Sequence, residues 1–383
     1  MSLVKKTSKC RFFPACGGCL YLSDDEDEYR KIKISALLNL LKEKEIIFNE
    51  DDLNNNSSKE ILDNNFLNKN VDFFWIGGGA RRKITLQIDA KNNLGFFAKS
   101  SNNLVEIDSC YIANQEISAL ILHFKNLLQS FENHLITQIA ITNFDNVIDV
   151  VFCCKRELNF FQQQKILNWA KALKINASWR LKNKITPIFI QEVCRLNFKD
   201  NISLELDSEI FIQATKGGLD KISHEISNFI ASAFKKKIIA VDIYSGFGAY
   251  SFAISSLVQK VYAFEGSKKM VDLISKNSAK NLLKNKIIPV ERDLVLHPIS
   301  EKELQEFDLA IINPPRNGAA SQIAKISKSK LNYLIYVSCN PKSFAQDAAT
   351  LFKSGFKISR LLAIDQFYGS EHLELVSIFV RFK

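Results

Sequence analysis

The sequence predicts an α/β chain: a carboxy-terminal doubly wound, Rossmann-like domain, a central α+β domain before it, and a small cysteine-bearing segment at the amino terminus. Three observations carry that expectation. From about Leu219 onward, apolar β-rich runs alternate with helix-length stretches. The first of those runs opens directly into a turn with two glycines. Between Trp75 and Phe211 the pattern changes to short alternating segments interrupted by only two helical ones. The expected boundaries are 1–72, 73–218 and 219–383.

The carboxy-terminal runs are Ile238–Ile243, Lys260–Phe264, Ile287–Val290, Leu309–Ile312, Leu334–Val337, Leu361–Ile364 and Leu375–Val380. Strands separated by helix-length segments predict a parallel sheet that binds its ligand at the strand C-termini. In the central part, Lys83–Ile88 and Val147–Phe152 read as strands, and residues 115–130 and 157–174 as helices. Upstream, the acidic run Asp24–Glu28 precedes a helical pattern around Ile32–Leu41, where carboxylates suit a helix N-terminus. Residues 49–70, with Asn54, Asn55 and Asn56, read as a surface loop or linker.

The chain has 383 residues, 46% of them hydrophobic, enough for two or three cored domains. It shows neither a membrane-length apolar run nor the apolar stretch of a signal peptide, so a cytoplasmic protein without membrane contact is expected. The net charge of +10 suits a polyanionic partner, although lysine enrichment along the whole chain gives the same sum without one.

The nucleoside site is expected where Ile239–Tyr244 enters Ser245-Gly246-Phe247-Gly248-Ala249-Tyr250. Gly246 and Gly248 permit a tight turn and close approach to a ligand. Glu265, nineteen residues after Gly246, ends the second strand, where a carboxylate accepts from both hydroxyls of a ribose. A dinucleotide motif would carry a third glycine where this chain has Ser251, which favours S-adenosylmethionine, a ligand without phosphates. Asp293, after the third strand, is placed to accept from an adenine amino group.

Two further strand ends carry polar motifs, Asn313-Pro314-Pro315-Arg316-Asn317-Gly318 and Ser338-Cys339-Asn340-Pro341. A cysteine on a turn leading toward a helix is placed to act as a stabilised thiolate, whereas a lone cysteine at a strand end more often packs in the core; the polar motifs around it favour the first reading. Eight cysteines without a secretory signal are not read as a disulfide framework. Cys10, Cys16 and Cys19, with the Gly17-Gly18 turn between the last two, can converge on one metal centre, and Cys110 is the best fourth ligand. Spacing alone leaves zinc and iron–sulfur open. Cys153, Cys154 and Cys194 fit core positions. Arg81, Arg82 and Lys83, after Gly77-Gly78-Gly79, read as phosphate contacts or as a solvated basic cluster.

Taken in order, these motifs resemble the RNA uridine-C5 methyltransferases. The matching elements are Phe211-Ile212-Gln213, Asp242 to Gly248, the Pro-Pro-Arg motif with Gly318, Ser338 to Pro341, Asp347, Asp365-Gln366-Phe367 and His372-Leu373-Glu374. The resemblance implies Cys339 as nucleophile toward uracil C6 and Glu374 as the base that removes the C5 proton. It implies that Gln213, Tyr244, Ala249, Glu265, Asp293 and Asn313 line the donor and target pocket. It also implies a [4Fe-4S] cluster on Cys10, Cys16, Cys19 and Cys110, and membership of the iron–sulfur 23S rRNA branch that lacks an amino-terminal β-barrel RNA-binding domain. The expected partner is therefore RNA, 23S rRNA first and tRNA second, bound by a monomer. Two features depart from the family pattern: Asn313 replaces an aspartate, and Tyr368 and Ser370 stand near a usual proline and threonine. An asparagine can still accept from uracil N3–H and donate to O4. An amino-group methyltransferase is the competing enzyme class, but it would need neither Cys339 nor Glu374. An RNA-binding iron–sulfur protein that keeps only the fold is the non-enzymatic alternative.

Overall fold

A computed structural model describes residues 8–22, 25–44, 46 and 71–381. The expected linker at 49–70 and Asp24 lie outside the described residues. The chain begins with α1 (Glu26–Glu43), whose N-cap Asp25 accepts from the Glu28 N–H, and β1 (Val71–Trp75). The central part follows as β2 (Lys83–Ile88), β3 (Leu94–Phe97), β4 (Leu104–Glu106), α2 (Gln115–Leu128), β5 (Ile136–Asn143), β6 (Ile148–Cys154), α3 (Phe160–Leu173), β7 (Asn176–Leu181) and β8 (Lys184–Phe189). Its seven strands form one sheet in the order β4-β3-β2-β5-β6-β7-β8, and β9 (Cys194–Asn197) pairs with β10 (Ser203–Leu206) separately. The core of this part packs Ile117, Ile121 and Phe124 of α2 against Phe152 and Trp179 of the sheet. Cys153, Cys154 and Cys194 are buried, as the sequence predicts.

The carboxy-terminal part contains α4 (Lys216–Ala233), β11 (Ile239–Ile243), α5 (Ala249–Ala253), β12 (Lys260–Glu265), α6 (Lys268–Lys280) and β13 (Ile287–Glu291). It continues with β14 (Leu309–Ile312), α7 (Ala320–Lys328), β15 (Tyr333–Ser338), α8 (Pro341–Lys353), β16 (Lys357–Asp365) and β17 (Glu374–Val380). These strands build an eight-stranded sheet in the order β1-β16-β17-β15-β14-β11-β12-β13. Alternate residues feed two cores, as a sheet covered on both faces requires. Ala240, Ile311 and Ile335 pack with Ile222 and Ile226 of α4. Val241, Ile312 and Tyr336 pack instead with Leu37 and Leu41 of α1, Ile323 of α7 and Phe344 of α8.

Two expectations change. The sheet is not wholly parallel, because β17 runs antiparallel to both β15 and β16. The eight residues from Gln366 to Leu373 are too few for a crossover and allow only a hairpin-like return. The sheet also acquires β1, which pairs in parallel with β16 from Val71↔Leu361 to Trp75↔Asp365. Residues just before the central part thus extend the carboxy-terminal sheet.

Candidate active site

The chain runs from β11 outward to β13, then returns to the other side of β11 as β14 and β15, so a topological switch lies between β11 and β14. Ligands of such sheets bind in the crevice this leaves at the strand C-termini. Gly246 (φ 56°) and Gly248 (φ 84°) shape the loop after β11, and space is open within 4 Å of where a Gly246 side chain would begin. The Glu265 carboxylate closes one side of that loop, accepting from the Gly246 N–H at 3.0 Å and the Ser267 N–H at 2.9 Å. Ala249 opens α5 behind the loop.

Beneath the loop, Asp242 is fully buried. Its Oδ2 accepts from the Ser251 N–H (3.1 Å) and hydroxyl (2.7 Å), while Oδ1 has no partner among the described residues. Burial pushes this carboxyl up to about 6. The open glycine cradle, the two-oxygen carboxylate of Glu265 and the unpartnered Asp242 oxygen fit a nucleoside-bearing donor. Asp293 accepts through Oδ1 from the N–H groups of Val295 (2.9 Å) and Leu296 (3.0 Å). It also lies close enough to Tyr244 to raise that phenol, after burial and Asp347.

Asn313 follows β14 directly, and its N–H donates to the Ile243 carbonyl at 3.2 Å, which joins the two lips of the crevice. The loop after it is pinned from below by Asp347, whose Oδ2 accepts from the Ala319 N–H at 2.9 Å and the Tyr336 hydroxyl at 2.6 Å. Cys339 follows β15 directly. Asn340 caps α8 through the Lys342 N–H and donates its side-chain amide to the Arg316 carbonyl at 2.9 Å. Those bonds tie the cysteine turn to the Pro-Pro-Arg loop.

The antiparallel direction of β17 decides where Glu374 sits. Its first residues pair with the last residues of the neighbouring strands, Leu375 with Ser338 and Glu374 with Ile364. A parallel β17 would have carried Glu374 to the opposite sheet edge, away from Cys339. Here the two groups interact: the Cys339 thiol is pushed up by burial and then by the Glu374 charge, and is drawn down by the Arg316 guanidinium. Glu374 is only 2% exposed, and burial pushes its carboxyl up to about 7 against the opposing effect of a hydrogen bond from Gln366.

That bond belongs to a buried chain. Gln366 Nε2 donates to Glu374 Oε2 and to Gln213 Oε1, both at 2.8 Å, and Gln213 Nε2 donates to the Tyr250 hydroxyl at 3.1 Å. Gln213, Tyr244, Gly246, Gly248, Ala249, Glu265, Asp293, Asn313, Cys339 and Glu374 therefore gather around one crevice. Sequence reasoning missed Arg316, Gln366 and Tyr250 as individual participants. Their signal was position, a polar side chain within four residues of a strand end or inside the glycine motif.

Arg82 corrects the basic-cluster expectation. It is 4% exposed, donates to the Gln213 carbonyl at 3.0 Å and faces Asp145 at 3.7 Å, so it props up the Gln213 segment from inside. Lys83 Nζ is likewise bonded to the carbonyls of Glu209 and Ile210. Cys10, Cys16, Cys19 and Cys110 line one cavity of about 420 Å³ with Phe12, Phe96 and Arg81. Burial raises the thiols of Cys16, Cys19 and Cys110, that of Cys19 to about 12. Among the described residues, no group of three or more His, Cys, Asp or Glu side chains is set to hold a metal ion.

Residues 80–381 match the family model described as tRNA (Uracil-5-)-methyltransferase. The chain is similar to a 23S rRNA (uracil(1939)-C(5))-methyltransferase of Marinomonas posidonica, 25% identical over 386 residues that cover 100% of this chain and 83% of the relative. It is also similar to an RNA methyltransferase of Caulobacter vibrioides, 28% identical over 385 residues that cover 97% and 85%. Among solved structures, Pyrococcus abyssi tRNA (uracil-54, C5)-methyltransferase in complex with S-adenosyl-L-homocysteine shares the fold, with a TM-score of 0.65 and 20% identity over 81% of this chain and 79% of that one. The chain belongs to the tRNA (uracil-5-)-methyltransferase family and is an S-adenosylmethionine-dependent RNA uracil-5-methyltransferase.

Proposed function

We propose that this enzyme methylates C5 of a uridine in 23S rRNA through a covalent adduct on Cys339, with Glu374 removing the C5 proton. The observation that carries the mechanism is the pairing of Leu375 with Ser338, which brings the only buried carboxylate of the β17 start to the cysteine turn. C5 of uracil is too weakly nucleophilic to be alkylated unaided. The Cys339 thiolate adds to C6, the S–C6 bond forms, and the C5=C6 electron pair is released toward C5 and O4. Bound S-adenosylmethionine would supply the methyl group as a sulfonium, C5 forming its bond to the methyl as the S–CH3 bond breaks and S-adenosylhomocysteine leaves; Gln213, Tyr244, the Gly246–Ala249 turn, Glu265 and Asp293 would hold the donor. Glu374 then takes H5, the C5=C6 double bond re-forms, and the S–C6 bond breaks to return the thiolate. Arg316 favours the thiolate at the start and end of that cycle, and Asn313 reads the uracil edge.

The rRNA assignment is supported by similarity along the whole chain to 23S rRNA enzymes. Comparison of 5-methyluridine in ribosomal and transfer RNA, from cells with and without this protein, tests it. Loss of one 23S rRNA methyluridine is expected, and loss confined to tRNA would overturn the assignment.

Cys10, Cys16, Cys19 and Cys110 would hold the [4Fe-4S] cluster that the family resemblance implies. Tetrahedral zinc on thiolates at 2.3 Å needs sulfurs about 3.8 Å apart, whereas a cubane binds each thiolate through a different iron and tolerates wider separation. Four thiols around one cavity match a cubane in ligand number, one thiolate per iron. Cys10, Cys16 and Cys19 would then be joined to Cys110 of the central part, fastening the amino-terminal segment to it.

A further inference from the structure

The loop from Gln366 to Leu373 carries one partner of the catalytic base and ends next to the base itself. It receives much of its support from α1, which lies before residue 80 and so outside the stretch matched by the family model. Lys33 is 3% exposed, in the middle of a face formed by Tyr29, Leu37 and Leu41. Its ammonium donates to Asp365 Oδ1 at 2.6 Å and to the His372 carbonyl at 2.7 Å. One cation therefore bridges the two ends of the loop. Asp365 immediately precedes Gln366, and His372 stands two residues before Glu374.

Tyr29 adds two more bonds. Its hydroxyl donates to Asp365 Oδ2 at 2.6 Å and accepts from the Gly369 N–H at 3.1 Å. The loop tip is held by the same amino-terminal region: the N–H groups of Leu20 and Tyr21 donate to the Gly369 carbonyl, and the Tyr368 hydroxyl donates to Glu26 at 2.9 Å. Tyr368, which departs from the usual family residue, also packs its ring 4.9 Å from that of Tyr29.

We propose that Lys33 and Tyr29 are positioning residues for proton removal: they clamp both ends of the Gln366–Leu373 loop and so keep the Gln366 amide on the Glu374 carboxylate. This rests on the reading of Glu374 as the base. Neither residue touches substrate, so their loss acts through the loop. A loosened clamp frees Gln366 and lets the base turn away from H5, which slows adduct resolution while donor binding and adduct formation continue.

The test uses full-length Lys33→Met, Lys33→Arg and Tyr29→Phe proteins, with Glu374→Gln alongside. Turnover at saturating RNA and donor, donor affinity by calorimetry and denaturation-resistant protein–RNA adduct are measured together. Lys33→Met is expected to lower kcat about tenfold to a hundredfold, as small misplacements of reacting groups do, with donor affinity within about twofold and methylated adduct accumulating. Lys33→Arg should restore part of the turnover, because a guanidinium can still donate to both loop ends. Tyr29→Phe, which removes only a hydroxyl, should show the same adduct at lower yield and carries the test if Lys33→Met does not fold. Wild-type turnover in Lys33→Met and Tyr29→Phe, or activity lost together with donor binding and without adduct, would overturn the proposal. Absence of adduct in Glu374→Gln would instead overturn the assignment of the base.

Discussion

A carboxyl group held at about 7 by burial changes both activity and stability with pH. Glu374 binds its proton more tightly in the folded chain than in the unfolded one, where 4.5 is its ordinary value. The folded state therefore holds more protons between about pH 4.5 and 7, and this contribution is present at low pH and lost as pH rises through 7. The difference corresponds to about 3 kcal/mol at pH 8. Glu374→Gln should accordingly be more stable than the parent at pH 8 and gain little at pH 5, which denaturant titration at the two pH values checks. Equal stability at pH 8 would mean that the carboxylate is solvated. For Cys339, burial and Glu374 raise the thiol while Arg316 opposes them. Arg316→Met should move the alkaline-rising limb of the methylation rate to higher pH, and an unmoved limb would remove Arg316 from the thiol's environment. The place of Cys339 just after a strand was legible in the sequence; the strand end alone does not tell a nucleophile from a packed thiol. Arg316 was legible only as part of a motif, since nothing in spacing tells which way a loop guanidinium turns.

At the scale of elements, the apolar runs located the strands well: Lys83–Ile88 and Leu309–Ile312 coincide with β2 and β14. Their direction was not legible in the same way. Periodicity marks a strand but not its orientation, and β17 reads identically in either sense until the short return from β16 is taken into account. β1 was missed because its Phe-Phe-Trp end follows a polar stretch and its partner, β16, is almost three hundred residues away in sequence. The Asn313–Gly318 loop shows how an element holds a site. Gly318 has φ 80°, and a Cβ there would stand 2.9 Å from the Asp347 oxygen that also accepts from Ala319 and Tyr336. Gly318→Ala should cost about 1 to 3 kcal/mol in backbone strain, measured as a lower denaturation midpoint, and should reduce methylation because the loop carries Asn313 and Arg316. A neutral effect on both would show that Asp347 does not fix this loop.

At the scale of the whole molecule, the amino-terminal cysteines, α1 and the active-site loop meet in one small core of Leu22, Tyr29, Ile112 and Tyr368, with Cys10, Cys19 and Cys110 packed against it. Spacing marked Cys10, Cys16 and Cys19 as candidate ligands with Cys110 as a possible fourth, and the fold brings all four to one cavity. The role of α1 was not, although Lys33 on the face of Tyr29, Leu37 and Leu41 signals a buried anion elsewhere, a demand that sequence alone does not assign to Asp365. Protein purified without oxygen should contain about four irons and four sulfides per chain, and Cys110→Ser should lower both while leaving the donor site intact; iron-free protein that retains full methylation would remove the cluster from the account. The claim on which the rest depends is that Cys339 bonds to the uridine and Glu374 releases it. Mass spectrometry of the denatured Glu374→Gln protein after incubation with RNA and S-adenosylmethionine tests that claim directly. The expected product is a peptide containing Cys339 joined through sulfur to C6 of a C5-methylated, ring-saturated uridine. A link to another residue, or methylated RNA released with no linked peptide, would contradict it.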